Sequence, residues 1–133
     1  MKKYFLLIIF FLSFTSKGYS NNYLFTKIIK IDEPWGSAFI NNNEIIITEK
    51  SGKIKIVNVV SKEVSEIKHN LNFVEVGQGG LLDIIHLNNT LWISYSENRG
   101  KPKTSTSIAK AKLNRKELDF KNIFQANPPI DSG

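Results

Sequence analysis

The sequence predicts an all-β chain: a β-propeller of four-stranded antiparallel blades, with about two blades present in its 133 residues. Three observations predict it. No stretch after residue 20 shows helical periodicity; β-branched and aromatic runs are punctuated instead by Asn, Gly, Ser and Lys turns, the signature of short strands. Two unit openings repeat. Trp35-Gly36-Ser37-Ala38-Phe39-Ile40, an Asn turn and Glu44-Ile45-Ile46-Ile47-Thr48-Glu49 form one; Leu81-Leu82-Asp83-Ile84-Ile85-His86-Leu87, an Asn turn and Leu91-Trp92-Ile93-Ser94-Tyr95-Ser96 form the other. The offset, Ile47 against Ile93, is about 46 residues, and each opening is followed by two more strand-like runs. Four short strands every 40–50 residues is the period of a propeller blade. A β-sandwich is the competing reading of the same pattern.

Strands are expected at residues 24–31, 35–40, 44–49, 53–59, 62–67, 80–87, 90–96, 104–113 and 117–124. Ile45-Ile46-Ile47 lacks alternation, which predicts burial on both faces. Residues 81–87 are apolar on both faces except for Asp83 and His86, as expected of an inner strand between neighbouring blades. Asn41-Asn42-Asn43, Ser51-Gly52 and Asn88-Asn89 supply turns, because Asn and Gly tolerate positive φ. Trp35 and Trp92 fall in strands and are expected in the core.

The first twenty residues read as an export signal. Lys2 and Lys3 form a positive start, Tyr4 to Phe14 an apolar run, and Gly18-Tyr19-Ser20 a small, polar exit. The run of about eleven residues is short of the roughly 20 that span a bilayer, although a retained anchor is the alternative. Residues 1–20 contain three lysines (Lys2, Lys3, Lys17) and no acid, so removing them takes the net charge from +6 to +3. The remaining lysines are scattered along strands. They form no dense basic stripe with interleaved aromatics, which argues against a nucleic-acid partner. With no cysteine the exported chain has no disulfides, and the periplasm is its expected location. The expected domain organisation is a signal peptide at 1–20 and the N-terminal part of a propeller at 21–133, with no membrane span after cleavage.

The sharpest local feature is Val76-Gly77-Gln78-Gly79-Gly80-Leu81-Leu82-Asp83. Three glycines in four positions allow a tight turn and close backbone approach to a ligand. Gln78 brings the loop an amide donor and acceptor suited to a sugar hydroxyl. The spacing is not that of a dinucleotide fingerprint, and no helix follows. On residue types alone, a plain turn between blades is the stronger reading.

These residues also carry a resemblance. Pro34-Trp35-Gly36, Ile47-Thr48-Glu49-Lys50-Ser51-Gly52-Lys53-Ile54, the Val76–Asp83 segment, Ser94-Tyr95-Ser96-Glu97 and Thr106-Ser107-Ile108-Ala109-Lys110-Ala111-Lys112-Leu113 stand in an order that resembles the glucose/sorbosone dehydrogenase family. These are soluble aldose dehydrogenases that use pyrroloquinoline quinone (PQQ). The resemblance spans about residues 33–133. It implies a six-bladed propeller at full length, with PQQ over the central axis and a calcium ion. It also implies oxidation of an aldose at C1 to the lactone. Gln78 matches the family's glutamine that lines the sugar pocket, and this reverses the weighting on that residue. The family's catalytic His follows a loop resembling Pro128 to Gly133, and its quinone-gripping and calcium-binding residues lie in later blades. The resemblance therefore assigns no catalytic, cofactor-binding or metal residue within these positions. It makes the chain an N-terminal fragment, expected to be inactive alone.

The residues leave the particular aldose and the electron acceptor open. His86 ends a strand and His69 sits in a polar turn; both read as structural. No His, Cys or carboxylate cluster has metal-ligand spacing, and Ser94 and Ser96 lack a nucleophile elbow. A non-catalytic exported propeller that binds a glycan or peptide is the alternative function.

Overall fold

A computed structural model describes residues 23–131, so the export signal expected at 1–20 lies outside the described residues. Ten strands and no helix are present among them: β1 (Pro34–Asn41), β2 (Glu44–Glu49), β3 (Ile54–Asn58), β4 (Val64–His69), β5 (Leu81–Leu87), β6 (Thr90–Asn98), β7 (Lys103–Lys112), β8 (Glu117–Leu118), β9 (Lys121–Gln125) and β10 (Ile130–Asp131). One blade is the antiparallel meander β1-β2-β3-β4, with β8 added parallel to β4. The other is β5-β6-β7, with β9 and then β10 along the far edge of β7.

The blades pack face to face through a core of alternating strand residues. Ile46, Ile54, Ile56 and Ile67 of the first meet Leu81, Ile84, Leu91, Ile93 and Tyr95 of the second. The register places Ile46 opposite Ile56, and Leu91 and Ile93 opposite Ala111 and Ala109, so each apolar set shares one face. Small alanines on β7 leave room for Leu118 and Phe120, which close the outer side.

The inner strands, β1 and β5, approach closely. A Cβ at Gly36 would lie 2.6 Å from the Asp83 Cα and 2.8 Å from the Ile84 N. Each inner strand is irregular there, β1 between Pro34 and Gly36, and β5 between Leu81 and Ile84. A hydroxyl holds each irregularity. Thr48 Oγ1 accepts from the Gly36 N–H at 2.9 Å and donates to the Leu82 carbonyl of the next blade at 2.6 Å. Ser94 Oγ accepts from the Asp83 N–H at 3.1 Å. Thr48 and Ser94 stand at the same 46-residue offset as Ile47 and Ile93, so the sequence repeat is a repeat of hydrogen bonding as well.

Five expectations are corrected. Residues 24–31 form no strand. Residues 26–31 lie along the outer face of the first blade, lining a groove with Phe39, Ile45, Ile47, Val57 and Val59, and pair with no strand. This cover leaves Ile45 and Ile47 partly exposed, while Ile46 is buried on the side of the second blade. The expected strand at 117–124 is two strands, because the chain passes from the edge of β4 to the edge of β7. On β5, Ile85 and Leu87 are 55% and 61% exposed, since among the described residues only the first blade packs on that strand. Trp35 is 46% exposed rather than core, and Trp92 is half-buried under the Lys110 ammonium, 5.5 Å from its ring centroid.

At the lower end, Arg115 from the turn after β7 donates bidentately to Glu44 of β2, at 2.8 and 2.6 Å, clamping one blade to the other. Those bonds, with one from the Asn41 amide, outweigh partial burial and hold the Glu44 carboxyl at about 2 instead of 4.5. A carboxylate whose folded value is depressed contributes stability above its unfolded value and loses it as pH falls through the folded one. The difference in melting temperature between the wild-type chain and Arg115→Ala should therefore shrink as pH is lowered from about 5 to about 2. A difference that stays constant over that range would show that the clamp contributes nothing.

Candidate functional site

Strand direction gathers the chemistry at one end. The β2–β3 turn, the β4–β5 loop, the β6–β7 turn and residues 126–131 all lie at the upper end, where β1 and β5 begin. Gln78 is exposed there at the tip of the β4–β5 loop. The tip is a tight turn, closed by the Gly79 N–H donating to the Val76 carbonyl at 2.7 Å, with Gly77 at φ 56°. Among the described residues the Gln78 side-chain amide has no hydrogen-bond partner, so its donor and acceptor are free for a ligand.

Both legs of the loop grip the upper end of β6. Val74 N–H donates to Ser96 C=O, and Ser96 N–H to Gly80 C=O, each at 2.9 Å; Asn98 N–H donates to Asn72 C=O at 3.0 Å. The glycines are required by proximity. A Cβ at Gly79 would stand 2.8 Å from Ser96 Oγ, and one at Gly80, where φ is +146°, only 2.3 Å from the Lys50 carbonyl oxygen. Gly77 and Gly80 thus supply positive φ, and Gly79 and Gly80 let the loop sit against neighbouring backbone.

The loop forms one wall of a cleft of about 330 Å³. Thr104 and Thr106 of β7 and Ile130 and Asp131 of β10 form the other wall. The Asp131 carboxylate pairs with Lys103 at 2.7 Å. Hydroxyls, an amide and a carboxylate around a volume of this size suit a hydrated, hydroxyl-rich ligand such as a sugar. Larger grooves lie away from the loop, two of them of about 530 and 560 Å³. One runs along Trp92 and Lys110, the other along the outer face of the first blade under residues 26–31.

Beneath the cleft, a polar network stiffens the second blade. Glu97 accepts from Ser107 Oγ at 2.6 Å, from Asn122 Nδ2 at 3.1 Å and from the Gln125 amide. Burial pushes its carboxyl up, but the Ser107 and Gln125 hydrogen bonds, the Arg99 charge and Asn122 bring it below the ordinary value. Burial raises the Tyr95 hydroxyl, which donates to Asn122 Oδ1 at 2.7 Å.

The histidines stand apart from Gln78. His86 lies near the lower end of β5, its buried Nε2 without a partner among the described residues. His69 ends β4 and bonds to the backbone on both sides. Among the described residues no three His, Cys, Asp or Glu side chains come together to hold a metal ion. At the upper end Arg99 is held by Ser105 and Asn127 and Lys103 by Asp131, whereas among the described residues the ammonium groups of Lys50, Lys53 and Lys101 have no hydrogen bond or ion pair. The sequence motif identified Gln78 alone. In the opposite wall Thr106 opens a quoted segment and Asp131 lies in the Pro128–Gly133 loop, but neither was singled out as a ligand, and Thr48 and Ser94 were discoverable only as partners in the repeat.

Comparison with known proteins agrees with this geometry. The chain is 27% identical over 113 residues to the aldose sugar dehydrogenase YliI of Escherichia coli, an alignment covering 78% of this chain and 30% of that protein. It therefore spans about 30% of the length of this curated relative. A crystal structure of a glucose dehydrogenase superposes with a TM-score of 0.71 and 26% identity, covering 77% of this chain and 33% of the other. The PQQ-bound aldose sugar dehydrogenase of Streptomyces coelicolor shares the fold, with a TM-score of 0.65 at 15% identity over 74% of this chain and 32% of the other. The two stacked meanders are accordingly blades of a propeller, and the sandwich reading falls. The family model for glucose/sorbosone dehydrogenase matches residues 31–133, and the chain belongs to that family of sugar dehydrogenases.

Proposed function

We propose that the whole protein is a PQQ-dependent aldose dehydrogenase that oxidises its substrate at C1 to the lactone, and that Gln78 helps to place the sugar. The observation that supports this most directly is the unpartnered Gln78 amide, held over a polar cleft by glycines that match the family motif. In the reaction C1 loses a hydride and its hydroxyl loses a proton. PQQ, bound with calcium in the whole protein, supplies the hydride acceptor. A histidine in the segment that follows Pro128–Gly133 in relatives of this family would take the proton. The residues described here act by binding: Gln78 orders sugar hydroxyls from one wall while Thr104, Thr106 and Asp131 face it from the other. We further propose that residues 1–20 direct export to the periplasm and are then removed.

The test is dye reduction by the full-length protein, supplied with PQQ and calcium, on a panel of aldoses. Turnover on at least one aldose is expected, and Gln78→Ala should raise KM about tenfold through loss of hydrogen bonds to the sugar. Absence of dye reduction on every aldose would overturn the enzymatic reading and favour a binding module.

A further inference from the structure

The loop that presents Gln78 hangs at both ends from one turn of the neighbouring blade. At its far end, Leu81 N–H points to the Lys50 carbonyl at 3.4 Å, and Gly80 packs against the same oxygen. At its near end the link is His69. Its Nδ1 lies 3.2 Å from the Leu71 N–H, which can only donate, so Nδ1 is the acceptor. Its Nε2 lies 2.6 Å from the Gly52 carbonyl, which can only accept, so Nε2 carries the proton. One neutral tautomer satisfies both bonds. The ring of Phe73, 6.0 Å from the imidazole centroid, covers Gly52 so closely that a Cβ there would stand 2.0 Å from its Cζ. His69, Gly52 and Phe73 thus lock the β2–β3 turn to the first residues of the loop, and Lys50 of the same turn receives its last.

We propose that His69 is a positioning residue: by joining the 50–53 turn to Leu71, its imidazole fixes where the Gln78 amide stands over the cleft. The inference rests on the reading that Gln78 contacts the sugar. His69 touches neither the cleft nor any reacting atom, and its effect passes through the loop backbone.

The test uses the full-length protein loaded with PQQ and calcium. His69→Ala should raise KM for the aldose about tenfold and change kcat per folded molecule less than about threefold. Amide exchange at Gly77 to Gly80 should accelerate about tenfold, with β2 and β3 unchanged. His69→Gln keeps a donor for Gly52, and His69→Asn keeps an acceptor for Leu71; each should lie between wild type and His69→Ala, and they serve if His69→Ala does not fold. A fall in active protein with KM and loop exchange unchanged would mean that His69 serves folding alone, and would overturn the proposal. Gln78→Ala separates the two readings. If it leaves KM unchanged, the sugar-contact reading fails, and the exchange result alone decides whether His69 positions the loop. If it raises KM while the His69 variants do not, only the positioning role fails.

Discussion

Gly80→Ala should destabilise the chain by roughly 2–6 kcal/mol, one of the two largest effects expected here. Two separate penalties combine. A φ of +146° is a conformation that side chains rarely adopt, and holding alanine there costs on the order of 1–3 kcal/mol. The added Cβ would also lie 2.3 Å from the Lys50 carbonyl oxygen, a backbone atom that cannot rotate aside. Relief requires moving the β2–β3 turn or the loop, and overpacking of this kind costs roughly 1–3 kcal/mol. Thermal or urea unfolding of the variant measures the sum. Gly100→Ala is the control, because a Cβ there meets nothing within 4 Å although its φ is +87°. If Gly80→Ala loses no more stability than Gly100→Ala, the packing argument is wrong.

Thr48→Val should cost roughly 2–6 kcal/mol with almost no change in shape. Thr48 is fully buried, and its hydroxyl serves two backbone groups, the Gly36 N–H and the Leu82 carbonyl. Valine fills the same space but leaves both unsatisfied, at roughly 1–3 kcal/mol each. Thr48→Ser keeps the hydroxyl and should lose far less. Equal stabilities for the valine and serine variants would show that the methyl, and not the junction between blades, is what matters. Because Thr48 spans two blades, the valine variant should also speed exchange of the Asp83 and Ile84 amides, which neighbour Leu82 on β5.

The sequence carried the strands from 35 to 113 because their signals are local. β-branched runs, Asn turns and the 46-residue offset each act within a few residues of chain. It missed the fate of residues 24–31, since β-branched residues indicate a preference for sheet but do not decide whether the segment pairs with a strand or lies on a blade face. It also overestimated burial at Ile85, Leu87 and Trp35, because burial depends on which surfaces come to lie opposite.

The site divides in the same way. By itself the sequence determined an all-β repeat of blades and a glycine-rich loop, and singled out Gln78 as that loop's side chain with an amide donor and acceptor. Only the tertiary structure decided that Thr104, Thr106 and Asp131 form the opposite wall, that Gly80 rests on Lys50, and that His69 ties Leu71 to Gly52. The physical reason is range. Turn chemistry and strand preference are written in neighbouring residues, whereas a cleft wall and a buried hydrogen bond join groups far apart along the chain, which only packing of one blade on the next brings together.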